Sequence, residues 1–152
     1  MDKVNETEAL LPHRQPMVML REALPEAAPG IAEARIDASE KCVFFDPAID
    51  GVPSCAALEY MAQTMALAVG RERRRREMPP AVGFVLGTRT MDVFVDKFNP
   101  KEDYIARAKC TYSDDVFASF DCSIQDAGGE TIAKATLTAF QPKTETDLEE
   151  MP

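Results

Sequence analysis

The sequence predicts an α+β domain: an antiparallel sheet wrapped around one long central helix. Two stretches carry that prediction. Residues 53–70 are helix-forming and apolar on almost every side, and residues 82–140 break into alternating runs separated by turn residues. A helix that is apolar all round has to be covered by protein, and only the sheet is large enough to cover it. A length of 152 residues suits one such domain and is short for two. The domain is expected over residues 1–142, with the acidic, polar residues 143–152 as a disordered tail.

Taken in chain order, residues 6–11 read as a short amphipathic turn or helix that Pro12 stops. Residues 17–24 follow as a first strand, punctuated by Pro25, Pro29 and Gly30. Residues 31–38 alternate apolar and polar, the pattern of a half-buried strand. Cys42-Val43-Phe44-Phe45 reads as a short apolar strand closed by Asp46-Pro47. Pro53 stands where a helix tolerates proline, at its first turn, and the helix has room to run on to Met78 before Pro79-Pro80 must end it. Strands are then expected over 82–86, 88–95, 104–113, 116–126 and 131–140. Ser113-Asp114-Asp115 and Ala127-Gly128-Gly129-Glu130 supply hairpin turns between the last three.

Composition narrows the partners. A formal net charge of −9 makes nucleic acid an unfit ligand, because phosphate contact needs a basic surface. No apolar run reaches the length of a membrane span. The first sixteen residues lack the apolar core of a secretory signal, so the cytoplasm is the expected compartment. The four cysteines, Cys42, Cys55, Cys110 and Cys122, form no CxxC pair and only one histidine accompanies them. Free, partly buried thiols are therefore expected rather than a metal site, and no cofactor is called for.

Four features have the residue types that chemistry uses. Glu59 lies in the second turn of the helix among Ala56, Ala57, Leu58, Met61 and Ala62. Burial there would raise its carboxyl pKa and keep a proton available for general acid catalysis; a glutamate reaching a cleft edge or an arginine fits the same periodicity. Gln63, at i+4, can orient that carboxyl. The helix start offers backbone N–H groups at Ser54, Cys55 and Ala56, which suit an oxygen gaining negative charge. His13, between Pro12 and Pro16, is the one imidazole available as a base, or else a hydrogen-bonded structural residue. The run Arg73-Arg74-Arg75-Arg76 either complements the helix dipole or offers a docking patch to an acidic partner.

Three patches together resemble the beta-hydroxyacyl-acyl-carrier-protein dehydratases, a hotdog-fold family. Leu10-Leu11-Pro12-His13-Arg14-Gln15-Pro16-Met17 is similar to the family's LLPHRxPF start. Pro53-Ser54-Cys55-Ala56-Ala57-Leu58-Glu59-Tyr60-Met61-Ala62-Gln63 is similar to PGxxxxEAMAQ, and Gly83-Phe84-Val85-Leu86-Gly87 to the FLxG segment. The combination looks closest to the dehydratase-like proteins of aryl polyene biosynthesis clusters.

The resemblance implies elimination of water from a 3-hydroxyacyl thioester on an acyl carrier protein, in a dimer of hotdog chains that is either homomeric or built with a related chain. By position it makes Glu59 the helix acid, Gln63 the motif glutamine and Cys55 an amide donor, with Ser54 in place of a glycine. It also makes the arginine patch a dock for the acidic carrier. One departure is plain: the family's usual catalytic histidine falls on Phe45, which accepts no proton and would only line the substrate path. Three outcomes stay open. His13 takes the base role, Asp46 or a water replaces it, or the chain has become a catalytically reduced subunit paired with a complete dehydratase. A hotdog thioesterase, with the helix carboxylate activating water, is the remaining alternative.

Overall fold

A computed structural model describes residues 3–81 and 83–141. Residues 143–152, expected to form a tail, and Val82, expected to open a strand, lie outside the described residues. Along the chain the elements are α1 (Lys3–Leu10), β1 (Leu20–Ala23), β2 (Ile31–Ile36), β3 (Val52–Pro53) and a 3-10 turn over Ser54–Ala56. They continue with α2 (Ala57–Arg75), β4 (Phe84–Val93), β5 (Lys97–Phe98), β6 (Ile105–Ser113), β7 (Phe117–Gln125) and β8 (Thr131–Phe140).

Six strands form one sheet in the order β1-β2-β6-β7-β8-β4, with every neighbour antiparallel. The alternation seen in the sequence becomes a burial pattern: in β2, Ala32, Ala34 and Ile36 face the core while their neighbours are half-exposed. Helix α2 crosses the concave face and packs on β6, β2 and β7. Tyr60, Met61, Gln63, Thr64 and Leu67 are fully buried there. Tyr60 donates to the Asp37 carbonyl at 2.7 Å and meets Phe98 edge-on, with ring centroids 5.1 Å apart. Burial drives the Tyr60 phenol far above its ordinary pKa, so it is a neutral donor.

The chain covers α2 less completely than its composition predicts. Leu58, Ala62, Ala66 and Val69 form a stripe that is only half-buried, and Glu59 stands at its edge. The helix also stops at Arg75 rather than Met78. Met78 N–H bonds the Arg73 carbonyl at 2.8 Å and Glu77 N–H bonds Arg74 at 3.0 Å, with Glu77 at φ 55°. That is a Schellman stop, made without the usual glycine and set before Pro79.

Two strand expectations are corrected. Residues 42–45 are a turn, not a strand: Cys42 N–H bonds Ser39 and Phe45 N–H bonds Cys42, each at 3.0 Å. The turn chemistry of Ser39 and Asp46-Pro47 on either side overrides a four-residue apolar run, and Cys42 alone of its first three residues is buried. The two strands expected over 82–86 and 88–95 are the single strand β4, whose register slips between Val85 and Gly87 and again between Thr88 and Met91. A glycine within a strand marks an irregularity of this kind. The four cysteines are free thiols: Cys42 and Cys122 buried, Cys110 half-buried, Cys55 exposed. No helix among the described residues is long and apolar enough to cross a membrane.

Candidate active site

His13 and Glu59 are 46 positions apart in the chain, yet their side chains meet. His13 Nε2 lies 3.6 Å from Glu59 Oε1, and the two side chains are 28% and 35% exposed, open enough for a ligand to reach. The segment carrying His13 is built against α2 from both ends. Upstream, α1 ends where its last residue touches the helix: a methyl group on Gly70 would lie 2.0 Å from the Leu10 carbonyl oxygen. Arg14 Nη1 then donates to the carbonyls of His13 at 2.7 Å and Leu11 at 3.0 Å, fixing the turn on which the imidazole stands. Downstream, Met17 and Met19 are tied to Gln63 of α2 by hydrogen bonds of 2.7 and 2.8 Å.

Burial holds the His13 pKa below the usual imidazole value, against the opposing pull of the Glu59 carboxylate. A histidine kept neutral near pH 7 has a nitrogen lone pair ready to accept a proton. Its Nδ1 is buried with no hydrogen-bond partner among the described residues, so Nε2, facing Glu59, is the working nitrogen. Gln63 Nε2 donates to Glu59 Oε1 at 2.9 Å, the i,i+4 contact expected from the helix.

The other anticipated residues divide. The Ser54 N–H is already used, donating to the Asp96 carbonyl at 3.1 Å, which corrects its reading as a free donor. A 3-10 start first satisfies the N–H three residues on, so Cys55 N–H precedes the ladder and is the helix-start donor left. Phe45 is half-buried and packs on the core. Asp46 Oδ1 accepts the Ala48 N–H at 2.9 Å, an Asx turn within its own loop.

The arginine run is at the far end of α2. Arg74 is fifteen residues past Glu59, about 22 Å along the axis at 1.5 Å per residue. Arg75 pairs with Glu26 at 2.7 Å and Glu72 at 2.8 Å, and Arg76 with Glu72 at 3.2 Å. Arg73 Nε donates to the Pro79 carbonyl at 2.6 Å, so the exposed Arg74 is the member of the run least engaged within the described residues. Pairing with Glu72 follows from its i,i+3 and i,i+4 spacing to Arg75 and Arg76. Pairing with Glu26 was not legible in the sequence, since Glu26 reaches the helix only through the fold.

Two surface grooves are open. One, of about 590 Å³, is lined by Ile49, Phe94, Val95, Asp96 and Lys97; the other, of about 290 Å³, by Leu86, Gly87, Thr88, Arg89 and Thr138. Neither is lined by His13 or Glu59. Val85, Leu86 and Phe94, on and just past the β4 edge, are 42%, 39% and 63% exposed.

Comparison with known proteins agrees with this fold. The family model described as ApeP-like, ApeP dehydratase, matches residues 5–151. Among solved structures, the dehydratase heterocomplex ApeI:P from Xenorhabdus doucetiae superposes with a TM-score of 0.85 at 24% identity, over 95% of each chain. Zebra fish thioesterase superfamily member 2 matches with a TM-score of 0.67 at 15% identity, over 91% of this chain and 95% of that one. A hypothetical thioesterase from Streptococcus pneumoniae TIGR4, solved with coenzyme A, matches at 0.59 and 13% identity, over 80% and 84%. The fold is the hotdog fold. No curated protein sequence matches the chain.

Proposed function

The chain belongs to the ApeP-like dehydratase family, and from that premise we propose that it removes water from a 3-hydroxyacyl thioester held on an acyl carrier protein, giving the trans-2-enoyl thioester. The observation that carries this reading is the approach of His13 Nε2 to Glu59 Oε1 at 3.6 Å. It supplies an imidazole base although Phe45 stands where the wider family has one.

Elimination needs one base and one acid, and a pair this close can hold the single proton between them. Neutral His13 takes the Cα proton and the electrons move into the thioester carbonyl, whose oxygen Cys55 N–H is proposed to receive. The imidazolium passes that proton to the Glu59 carboxylate, and the C3–O bond breaks as the resulting carboxyl protonates the departing hydroxyl. Water leaves, with His13 neutral and Glu59 a carboxylate again.

A second reading, in which the chain works as one subunit of a dehydratase pair, is favoured by the incomplete cover over α2 and by the apolar residues along the β4 edge. An open strand edge is a template for another strand, and the ApeI:P relative is itself a heterocomplex. The deciding experiment incubates purified protein, alone and co-expressed with a related hotdog chain, with a 3-hydroxyacyl carrier-protein thioester. Enoyl thioester from the protein alone supports the first reading; enoyl product only with the partner supports the second. Free acid would make the chain a thioesterase and overturn both.

The carrier protein is proposed to dock on Arg73 and Arg74. Reversing both to glutamate is expected to weaken carrier binding at low salt at least tenfold, with the loss shrinking as ionic strength rises. Equal binding by wild type and variant in a titration at two salt concentrations would remove the patch from the docking surface.

A further inference from the structure

We propose that Thr7 and Arg71 are positioning residues for His13: together they clamp the strap that carries it, residues 11–19, onto helix α2. The proposal rests on the reading above in which His13 is the base, and it names what keeps that base in place. Neither residue reaches the reacting atoms. Thr7, on α1, is only 1% exposed, and Arg71 is twelve residues past Glu59, about 18 Å along the helix axis.

The strap joins α1, which ends at Leu10, to β1, which begins at Leu20. Its two stems keep their spacing only if helix and strand are fixed to one another. Strand β1 is an edge of the six-stranded sheet, and an edge strand leaves N–H and C=O groups without a strand partner. Leu24 N–H bonds the Glu33 carbonyl at 2.9 Å, so on its neighbour Ala23 the N–H points away from β2, to the open side. Thr7 Oγ1 accepts that N–H at 3.0 Å. One buried hydroxyl thereby joins the two stems of the strap.

Arg71 adds the third member, α2. Its Nη2 donates to the Leu24 carbonyl at 2.5 Å, one residue beyond the Thr7 contact. Burial holds its pKa below the ordinary arginine value, against the attraction of Glu26 and of Glu6 on α1. Its Nη1 is buried without a hydrogen-bond partner among the described residues. A guanidinium withdrawn from water at that cost, for one bond to backbone, is poorly placed to bind a partner protein. The first arginine of the run therefore belongs to the clamp rather than to a docking patch. Helix α2, which carries the acid, is tied to β1 by Arg71, and β1 is tied to α1 by Thr7.

The single histidine allows a test that does not depend on turnover, because its imidazole proton resonance can belong to no other residue. The charged groups around His13 are Glu59 on α2 and Arg14 on its own segment, whose guanidinium is turned back onto backbone carbonyls. Burial acts on His13 more strongly than Glu59 does, so a strap that swings outward should titrate nearer the ordinary 6.5, at higher pH than wild type. Thr7→Val keeps the shape of the side chain but leaves the Ala23 N–H unpaired. It should raise the His13 titration and lower kcat by about tenfold, with KM within about threefold, as misplacement of a reacting group does. Thr7→Ser should restore both. Arg71→Met, which keeps the stem but loses the bond to Leu24, carries the same expectation and decides the matter should Thr7→Val not fold. A folded Thr7→Val with a lower Tm, whose His13 titrates and whose kcat stands as in wild type, would overturn the proposal and leave Thr7 a matter of stability alone. Absence of dehydration by wild type would sink the elimination reading alone, since the titration still decides whether the clamp holds the strap.

Discussion

Replacing His13 with alanine is expected to lower the rate of 3-hydroxyacyl thioester dehydration by about 10²- to 10⁴-fold, the range a positioned acid or base supplies. Glu59→Gln should fall as far, because the amide keeps the shape and the Gln63 contact but has no acidic proton to give. The two losses should not add in the double variant, since base and acid act in one step on one shared proton. The pH dependence has a definite sign. His13 must be neutral to accept a proton, and burial sets its pKa below 6.5. So kcat/KM rises with pH through a limb below 6.5 and has reached its plateau by neutrality. In Glu59→Gln the residual activity should show that limb at still lower pH, because the carboxylate that supports the imidazolium is absent. Steady-state rates over about pH 5 to 8 check both points. Turnover in His13→Ala within threefold of wild type would leave this chain without an imidazole mechanism and favour a subunit role.

Much of this architecture was legible before any coordinates, and the reasons differ from element to element. The strands expected over 104–113, 116–126 and 131–140 agree with β6, β7 and β8 within a residue or so at each end. Alternation and the turns at Asp114 and Gly128-Gly129 act locally there, and nothing in the tertiary fold opposes them. Phe44 and Phe45 misled because a short apolar run says nothing about whether a partner strand exists; here Ser39 and Asp46 bend the backbone first. The two-residue ladder of β3 with β5 is shorter than any periodic signal, though it seats the start of α2 through Ser54 and Asp96. The nearness of His13 to Glu59 was beyond spacing altogether. It depends on Gly70 admitting the end of α1 and on Gln63 gripping Met17 and Met19, contacts that join residues 44 or more positions apart. The resemblance put the usual histidine at Phe45 and left His13 as one of three outcomes, so only the fold brings His13 beside Glu59.

Gly70 is where that placement is most exposed to mutation, and Gly70→Ala is expected to lower both stability and activity. On an open helix the change would be favourable by about 1 kcal/mol, because alanine is the better helix former. Here the new methyl group would stand 2.0 Å from the Leu10 carbonyl oxygen and 3.0 Å from its carbon. The obstacle is backbone, so no side-chain rotation relieves it and α1 must lift away from α2. Overpacking of this kind costs about 1–3 kcal/mol, and a backbone clash this short belongs at the upper end, enough to outweigh the propensity gain. For a chain of this size a net loss of about 1–2 kcal/mol lowers Tm by roughly 2–8 °C. The displaced residue leads directly through Leu11 and Pro12 to His13, so turnover measured well below Tm should fall by about tenfold or more. Gly87→Ala is the control: a Cβ there meets nothing within 4 Å, and neither quantity should move much. A Tm for Gly70→Ala at or above that of wild type would mean the two helices do not touch at this glycine, and the strap holding His13 would need another anchor.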